Sequence, residues 1–440
     1  TSMKCGSADA IRSGILNLVG KPTLRPSRPT ILQIIPRLDT GGAELSAIEI
    51  TEAVARAGGR ALVATEGGRL AGDVTAAGGE LIPFPAATKN PLWIIRNARA
   101  LARLIRDERV DLIHARSRAP AWSAFLAARR AGVPFVTTYH GAYGERGPLK
   151  RLYNSVMARA DLVIANSGYT ANLIAARYGT EPNRLRIIHR GVDMVRFDPA
   201  RVSAERIGRL REAWGIAPEQ RIVLHAARLT GWKGQRVLID AVGRLARTDR
   251  LGDAVAVLAG DDQGRTAYRS ELETRAAALG IGDRVRLPGH VSDIPAAFAA
   301  AHIAVVASTE PEAFGRAATE AQAMACPVIA TDIGAPPETV IGMAARDPAQ
   351  QPGDATGWLV APGDADALAA CLAAALGLDP DARARLGARA RAHVARNFTL
   401  AAMKSATLAV YDELLGSSMA ARFAEKPSLA PMSIEAQRPT

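Results

Sequence analysis

The stretch STEPEAFGRAATEAQAMACPVIATDIGAPPETV, Ser308 to Val340, begins where the apolar run HIAVVA ends and contains a second run, PVIAT. The two runs predict buried strands, and the Ala-rich segment between them predicts a helix. This order is typical of a parallel sheet covered by helices. The stretch also places Glu312 and Glu320 eight residues apart. Carboxylates beside a buried sheet edge are costly unless they bind something polar, so the sequence predicts a binding site here.

Short apolar runs alternate with Ala- and Arg-rich helical segments along most of the chain, which indicates parallel sheets covered on both faces. The first series is ILQIIP, ALVAT, LIPFP, DLIHA, FVTTYH, LVIANS and LRIIHRG, and the second is RIVLHAA, AVAVLAG, RVRLPG, IAVVAS, PVIAT and GWLVAP. We therefore predict an α/β fold of two doubly wound domains with their site in the cleft between them. The predicted division is a loose N-terminal extension (1–28), a first domain (29–195), a linker (196–217), a second domain (218–398), a helix (399–416) and a disordered tail (417–440).

Composition limits the functional classes. The 440 residues suggest two or three domains, and no apolar run approaches the length of a membrane-spanning helix. The three cysteines have neither metal nor disulfide spacing, and the N-terminal stretch lacks a signal-peptide pattern, so we expect a cytoplasmic protein without structural zinc. The net charge of +12 favours an anionic partner. Aromatic residues are only 5% and are not interleaved with basic runs, which disfavours nucleic acid.

Three motifs follow predicted strands. In TGGAE, Gly41 and Gly42 form either a plain tight turn or a turn whose amides approach an anion at a helix N-terminus. In HAARLTGWKG, Arg228 and Lys233 form either a pyrophosphate clamp or a solvated loop. In TTYHGAYGE, His140 is either a satisfied core histidine or a substrate contact. Each motif alone leaves both interpretations open.

The polar groups around two of these motifs extend the candidate site. Tyr143 and Glu145 follow His140 and are expected at the same mouth. In the opening stretch, Glu312 precedes a Phe-Gly pair whose amides lie at a predicted helix start, where the helix dipole favours a phosphate. One of the two glutamates would then hold a ribose and the other a sugar. The alternative is a pair of solvated glutamates on the helix surface.

Taken together, TGGAE, TYHG, RLTGWKG, EAFGRAATEAQAM and GAPPETV resemble, in order and spacing, the retaining, nucleotide-sugar-dependent glycosyltransferases of family four, which have the GT-B fold. The resemblance covers some 310 residues, and its most recognisable element is the Glu-x7-Glu spacing. It implies two facing Rossmann-like domains, with an acceptor domain in the amino half and a donor domain in the carboxyl half. It also implies that the final helix crosses back to the first domain and that no metal or other cofactor is obligatory.

The resemblance assigns a role to each motif residue. Glu312 and His140 would be catalytic, because they would meet the transferred sugar from opposite domains. The nucleoside would contact Glu320 through its ribose, and His290 and Val291 in the loop GHVSD through its base. The donor diphosphate would be held by Arg228, Lys233, Gly41, Gly42, Phe314 and Gly315. The GAPPE segment departs from the pattern, since many relatives have two glycines there, and Glu338 is expected to support that loop.

The resemblance implies a retaining hexosyltransferase that moves a sugar from a nucleoside diphosphate to a saccharide or lipid-linked acceptor, in bacterial surface polysaccharide or lipopolysaccharide synthesis. A nucleotide-sugar epimerase or hydrolase of the same fold would need a similar site, and a catalytically silent sugar-nucleotide-binding module is the other alternative. The basic amphipathic segments RNARALARLIRDERV and PLKRLYNSVMARA are either ordinary sheet-covering helices or contacts with an anionic membrane. The second interpretation predicts peripheral contact at the inner membrane face.

Overall fold

The computed structural model describes residues 28–39, 41–141, 144, 147–343 and 353–425. Thr40, Tyr143 and Glu145 lie outside the described residues, as do the predicted N-terminal extension, apart from its last residue, and the tail beyond residue 425. All the other residues to which the sequence analysis gave a role are described.

The first domain is built on a sheet of seven strands, all of whose pairings are parallel. The strands are β1 (Thr30–Ile34), β2 (Arg60–Thr65), β3 (Glu80–Pro83), β4 (Leu112–Ala115), β5 (Phe135–Tyr139), β6 (Leu162–Ala165) and β7 (Leu185–Ile187). Their order is β3-β2-β1-β4-β5-β6-β7, so the strand order reverses between β1 and β4. Ligands of doubly wound sheets bind at such a reversal, outside the carboxyl ends of the strands.

The second domain repeats this plan with another parallel sheet of seven strands. The strands are β8 (Ile222–Ala226), β9 (Val255–Ala259), β10 (Val285–Gly289), β11 (Ile303–Val306), β12 (Val328–Thr331), β13 (Gly342–Met343) and β14 (Gly357–Val360). The order β10-β9-β8-β11-β12-β14-β13 reverses between β8 and β11. The predicted two-domain α/β fold is therefore confirmed. β13 is an additional strand, too short to leave a period-two pattern in the sequence.

Helices cover both sheets. Those of the first domain are α1 (Gly42–Arg56), α2 (Ala71–Ala76), α3 (Pro91–Asp107), α4 (Arg118–Ala131), α5 (Pro148–Ser155) and α6 (Gly168–Tyr178). The later ones are α7 (Ala204–Ala213), α8 (Gln235–Arg247), α9 (Thr266–Ala278), α10 (Ile294–Ala300), α11 (Arg316–Ala323), α12 (Pro336–Thr339), α13 (Ala365–Leu376), α14 (Pro380–Asn397), α15 (Leu400–Leu415) and α16 (Met419–Glu425). The central strands β1, β4 and β11 are buried along their whole length, and β8 is buried except at its last residue, as the apolar runs predict for a sheet covered on both faces.

The segments outside the two predicted domains are also packed. The predicted linker 196–217 contains α7, and its Trp214 and Ile216 lie in the core of the second domain. The predicted tail from residue 417 begins with α16, whose Met419 and Phe423 join the core of the first domain, so this part of it is ordered helix. Met419 and Phe423 are four residues apart on one face of α16, whereas Trp214 and Ile216 directly follow α7.

α15 returns to the first domain and packs beside α1, with Tyr411 in that domain's core. The Tyr411 hydroxyl lies 2.7 Å from His114 Nδ1 on β4, and His114 Nε2 lies 2.7 Å from Thr138 Oγ1 on β5. All three groups are buried, so this hydrogen-bonded chain fixes the last long helix to the centre of the first sheet.

Candidate functional site

A cleft of about 770 Å³ lies between the carboxyl ends of the two sheets. Its walls are formed by residues that follow β1, β5, β6 and β7 in the first domain and β8 and β11 in the second. The strand-order reversals of both sheets, β1/β4 and β8/β11, therefore lie beside the same cleft. The residues predicted for catalysis or diphosphate binding all line it, and so does one nucleoside residue: Gly41, Gly42, His140, Arg228, Lys233, Glu312, Phe314, Gly315 and Glu320.

The loop after β8 carries the two predicted diphosphate cations. Gln235 Nε2 donates to the backbone oxygen of Arg228 at 2.9 Å and fixes the start of the loop. Gly234 ends the loop with φ of +79°, and a Cβ at this position would lie 1.8 Å from the carbonyl oxygen of Ala307 on the neighbouring strand connection. Only glycine fits such a close backbone approach. This glycine therefore lets Lys233 lie against the loop that carries Glu312.

Glu312 is held in place before any substrate arrives. The Lys233 ammonium donates to Glu312 Oε1, and the Ser308 hydroxyl donates to the same oxygen at 2.6 Å. The Glu312 side chain is 10% exposed and that of Lys233 is 18% exposed. The pair is thus shielded, and its charges compensate each other inside the cleft.

The GAPPE segment supports the Glu312 backbone. A Cβ on Gly334 would lie 2.4 Å from the carbonyl oxygen of Glu312, and φ of Gly334 is +79°, so glycine is required there. Ala335, which takes the place of a second glycine, is fully buried and donates its backbone N–H to Glu312 O at 2.9 Å. The departure from the family pattern therefore leaves the support of Glu312 intact.

Glu320 lies one turn beyond Arg316 on α11 and accepts a hydrogen bond from Arg316 Nε at 3.2 Å. Burial lowers the pKa of Arg316, but the nearby Glu320 and Glu49 carboxylates outweigh that effect and raise it. The Arg316 side chain reaches across the cleft, where its Cδ would lie 3.7 Å from a Cβ on Gly42. Arg316 is thus a cation of the second domain in contact with the glycine turn of the first.

The turn before α1 brings a further carboxylate to the cleft. Glu44 folds back over Gly41, where a Cβ would lie 2.5 Å from Glu44 Oε2. Burial raises the pKa of Glu44, and the positive charges of Arg190 and Arg228 oppose that rise. Glu44 gives the first domain a polar group that the glycine motif alone did not reveal.

His140 faces the cleft from the end of β5, and its Nδ1 contacts Nη2 of Arg190. Burial lowers the pKa of His140 well below its usual value, and the charges of Arg190 and Arg116 and the proximity of His114 lower it further. Its Nε2 is buried and has no hydrogen-bond partner among the described residues. The imidazole is therefore neutral at physiological pH, and its Nε2 makes no hydrogen bond within the described part of the chain.

Two predicted nucleoside contacts do not belong to this cleft. His290 follows β10 and is exposed, and Val291 packs against the core of the second domain. Neither is among the described residues that line the cavity. Both lie at the carboxyl end of the strand at the sheet edge, two strands from β8, so their role stays a prediction.

The Glu338 side chain was expected to support its own loop, but its carboxylate contacts the first domain. Glu338 lies on α12 of the second domain, and its carboxylate accepts hydrogen bonds from the backbone N–H groups of Gly168 and Tyr169, at 2.7 and 2.6 Å. These amides begin α6 in the first domain, and His189 Nε2 lies 3.2 Å from the same carboxylate. Glu338 therefore connects the domains.

The cleft residues that the sequence analysis did not predict include Glu44, Asn166, Arg190 and Arg316. Asn166 directly follows β6, is 2% exposed and leaves its Oδ1 without a partner among the described residues. Asn166 and Arg190 lie within apolar runs that were assigned to strands, and Arg316 lies between the two glutamates of the opening stretch. Their position near the carboxyl end of a predicted strand, or at a predicted helix start, was the available signal.

Two facing doubly wound domains, with paired cations and glutamates at the strand ends, define a glycosyltransferase of the GT-B fold. Residues 40–196 match the family described as Glycosyltransferase Family 4, and residues 207–393 match Glycosyl transferases group 1. The chain therefore belongs to the family-four (group 1) glycosyltransferases.

Curated relatives include D-inositol 3-phosphate glycosyltransferases. That of Salinispora tropica is 35% identical over 323 residues, which cover 69% of this chain and 64% of the relative. One from Catenulispora acidiphila is 33% identical over 338 residues, which cover 72% of this chain and 73% of the relative. The chain thus spans somewhat less than two thirds of the first relative's length and nearly three quarters of the second's.

Solved structures show the same architecture. A glycosyltransferase from Rickettsia africae aligns with a TM-score of 0.79 and 32% identity, covering 89% of this chain and all of that one. Anabaena HepE in complex with UDP-glucose aligns with a TM-score of 0.73 and 27% identity, covering 88% of this chain and all of HepE. These alignments extend over both domains.

Proposed function

We propose that this glycosyltransferase moves a hexose, with retention of anomeric configuration, from a nucleoside diphosphate sugar to a saccharide or lipid-linked acceptor. The observation that carries the proposal is the meeting of Arg228, Lys233 and Glu312 from the second domain with His140 from the first in one cleft. HepE, which has been crystallised with UDP-glucose, supports a nucleotide-sugar donor. We place the reaction in the synthesis of bacterial surface polysaccharide or lipopolysaccharide, in the cytoplasm.

The cleft supplies what cleavage of a sugar–phosphate bond requires. Negative charge develops on the departing diphosphate, and Arg228, Lys233 and the start of α11 after Gly315 present positive charge at the strand ends. Glu312, held by Lys233 and Ser308, offers an oriented carboxylate to the hydroxyls of the sugar. We propose front-face transfer with the diphosphate as leaving group and without an obligatory metal.

Binding measurements test the donor. The purified chain is titrated with UDP, GDP, ADP and their sugar conjugates, with magnesium or with chelator, and its melting temperature is followed. We expect one nucleotide to raise the melting temperature equally with and without metal. A shift that requires magnesium would contradict the metal-free mechanism, and no shift with any nucleotide would favour the silent-module alternative.

Turnover measurements then separate the enzyme alternatives. Release of nucleoside diphosphate is followed with the identified donor, alone and with candidate saccharide or lipid-linked acceptors. A transferase requires the acceptor for rapid turnover, and the product's anomeric configuration by NMR reports retention. Rapid release without an acceptor would favour the hydrolase, and a changed sugar without release would favour the epimerase.

We also propose peripheral contact with an anionic membrane through the outer surface of α3, α4 and α5. α3 packs against α4, and α4 donates hydrogen bonds to α5 through Arg118 and Trp122. Segments 91–107, 118–131 and 148–160 contain ten Lys or Arg and one acidic residue, Asp107 at the end of α3. They also carry six large apolar side chains that are at least 40% exposed: Leu92, Trp93, Ile95, Leu126, Leu149 and Leu152.

Apolar groups surrounded by cations suit the boundary between anionic headgroups and acyl chains. The guanidinium carbon of Arg96 lies 4.9 Å from the centre of the Trp93 ring, so a cation and an apolar ring lie next to each other on this surface. Leu92, Trp93 and Leu149 lie in the first turns of their helices, which follow strand carboxyl ends and are therefore on the cleft side of the domain. No helix within the described ranges is long and apolar enough to cross a bilayer.

Vesicle flotation tests this contact. We expect binding to phosphatidylcholine vesicles that contain phosphatidylglycerol, weaker binding at high salt, and no binding to phosphatidylcholine alone. Leu149→Ser with Leu152→Ser should reduce binding, whereas Arg247→Ala with Arg250→Ala on the second domain should not. Equal binding by both double variants would contradict the assigned surface, and transfer to a water-soluble acceptor should be unchanged in both.

A further inference from the structure

The contact between Arg190 and His140 restricts the imidazole chemically. Arg190 follows β7 in the segment His189–Gly191, and its Nη2 contacts Nδ1 of His140 at the end of β5. A guanidinium has N–H donors and no acceptor, and it stays protonated at physiological pH. Nδ1 must therefore accept the hydrogen bond, and a neutral His140 must carry its proton on Nε2.

The remaining ring nitrogen, Nε2, has no hydrogen-bond partner among the described residues. It is buried, and His140 lines the cleft opposite the Lys233–Glu312 pair. A buried N–H without an acceptor costs free energy, which an oxygen of a bound substrate would recover. The charged and titratable groups around the ring are Arg190 after β7, Arg116 after β4 and His114 on β4, and none of them supplies an acceptor to Nε2.

We propose that Arg190 is a positioning residue that fixes His140 as the Nε2–H tautomer, so that His140 donates a hydrogen bond to a hydroxyl oxygen of the transferred sugar. The sugar as acceptor rests on the proposed function, whereas the tautomer rests on the Arg190 contact alone. In a histidine that acts as a base, a carboxylate commonly accepts a hydrogen bond from Nδ1–H, and Nε2 is free to take a proton. His140 has the opposite tautomer, with the proton already on Nε2. His140 therefore orients the sugar and does not act as the base that deprotonates the acceptor.

NMR tests the tautomer without any change of sequence. Two-bond ¹H–¹⁵N correlation spectra of the ¹⁵N-labelled protein distinguish the two ring nitrogens, and a His140→Asn variant assigns its signals among the seven histidines. We expect the Nε2–H pattern from about pH 5.5 to 8, without titration. An Nδ1–H pattern, or protonation near the usual histidine value, would overturn the proposal.

Variants of Arg190 test the consequence for catalysis. In Arg190→Met, loss of the donor and of the charge should give mixed tautomers and let His140 titrate closer to its usual range. We expect kcat to fall about 100-fold with a nearly unchanged KM for the donor, and the pH profile to gain an acidic limb. Arg190→Lys should recover part of the rate, because an ammonium also has donors only.

The control is Arg186→Met, which removes an arginine on β7, the strand before Arg190, that pairs with Glu413 at the surface. It should change neither tautomer nor kinetics. Wild-type kcat and pH profile in Arg190→Met would overturn the positioning role. If the tautomer is as expected but no nucleotide sugar is used, the positioning by Arg190 stands and the assignment of a sugar hydroxyl fails.

Discussion

The Lys233–Glu312 contact joins two side chains that are 79 residues apart in the sequence. Each would be costly to bury alone, and together with Ser308 they compensate each other within the cleft. A donor diphosphate would offer Lys233 a second anionic partner, and a donor sugar would offer Glu312 hydroxyl donors. The pair thus keeps both groups oriented until the substrate replaces part of their interaction.

Removing one partner of this pair should lower both activity and stability. In Glu312→Gln the Lys233 ammonium, 18% exposed, loses its carboxylate, and in Lys233→Met the carboxylate loses its cation. We expect each single variant to lose on the order of 2 kcal/mol of unfolding free energy in urea titrations, less than for a fully buried pair. The double variant should regain part of this loss while turnover stays at least about 100-fold reduced. Additive losses of stability would show that the two side chains are not coupled.

At the scale of elements, α6 begins against a carboxylate of the other domain. Glu338 accepts from the N–H groups of Gly168 and Tyr169, which are among the donors that a helix N-terminus leaves unpaired. The Thr170 hydroxyl in the same turn donates to the carbonyl oxygen of Ala313, the residue after Glu312, at 3.5 Å. The start of α6 therefore touches both the GAPPE segment and the loop that carries Glu312.

Glu338→Ala should loosen the contact between the domains. We expect a larger radius of gyration by small-angle X-ray scattering, because α6 loses a partner that satisfied two of its amides. We also expect kcat/KM to fall, because closure of the cleft becomes less favourable. Glu413→Gln, which removes the surface partner of Arg186, is the matched control. An unchanged radius together with unchanged kinetics would show that Glu338 only caps the helix.

Apolar runs and glycine turns made the strands and helix starts predictable. The contacts between these elements could not be predicted. Apolar β-branched runs gave thirteen strands and missed β13, which has only two residues. The motif residues at strand ends converge on the cleft because parallel strands end at one edge. Glu338 meets Gly168 across 170 residues, and no local pattern encodes such a pairing. The contact between Arg190 and His140 was also not predictable, because only the packing of the folded chain brings these residues together.

At the scale of the whole molecule, buried neutral histidines make the unfolding free energy of both domains depend on pH. In the first domain, burial lowers the pKa of His114 well below 6.5, and His114 links β4 to Tyr411 of α15. In the second, burial lowers the pKa of His225 to about 4, and His225 Nδ1 lies 2.8 Å from Val305 O on β11. Each domain thus contains a histidine that binds a proton more weakly in the folded state than in the unfolded chain.

The sign of the pH dependence follows from these shifts. Below pH 6.5 the unfolded chain binds protons at these histidines and the folded protein does not, so acid favours unfolding. The unfolding free energy should therefore be highest above pH 6.5 and fall as the pH decreases towards about 4. Glu44 and Asp73, whose pKa values burial raises, oppose this trend. Urea titrations between about pH 4 and 8 measure the slope directly.

A His114→Gln variant distinguishes the histidine contribution from a general effect of charge. Its unfolding free energy should be lower than that of the wild type at neutral pH, because the links to Tyr411 and Thr138 weaken. Its decline between pH 6.5 and 4 should be shallower, because one proton-binding group has been removed from the unfolded state. An equally steep decline would assign the acid sensitivity to other groups. A decline that vanishes would make the connection of α15 to the first sheet the dominant acid-sensitive contact of the molecule.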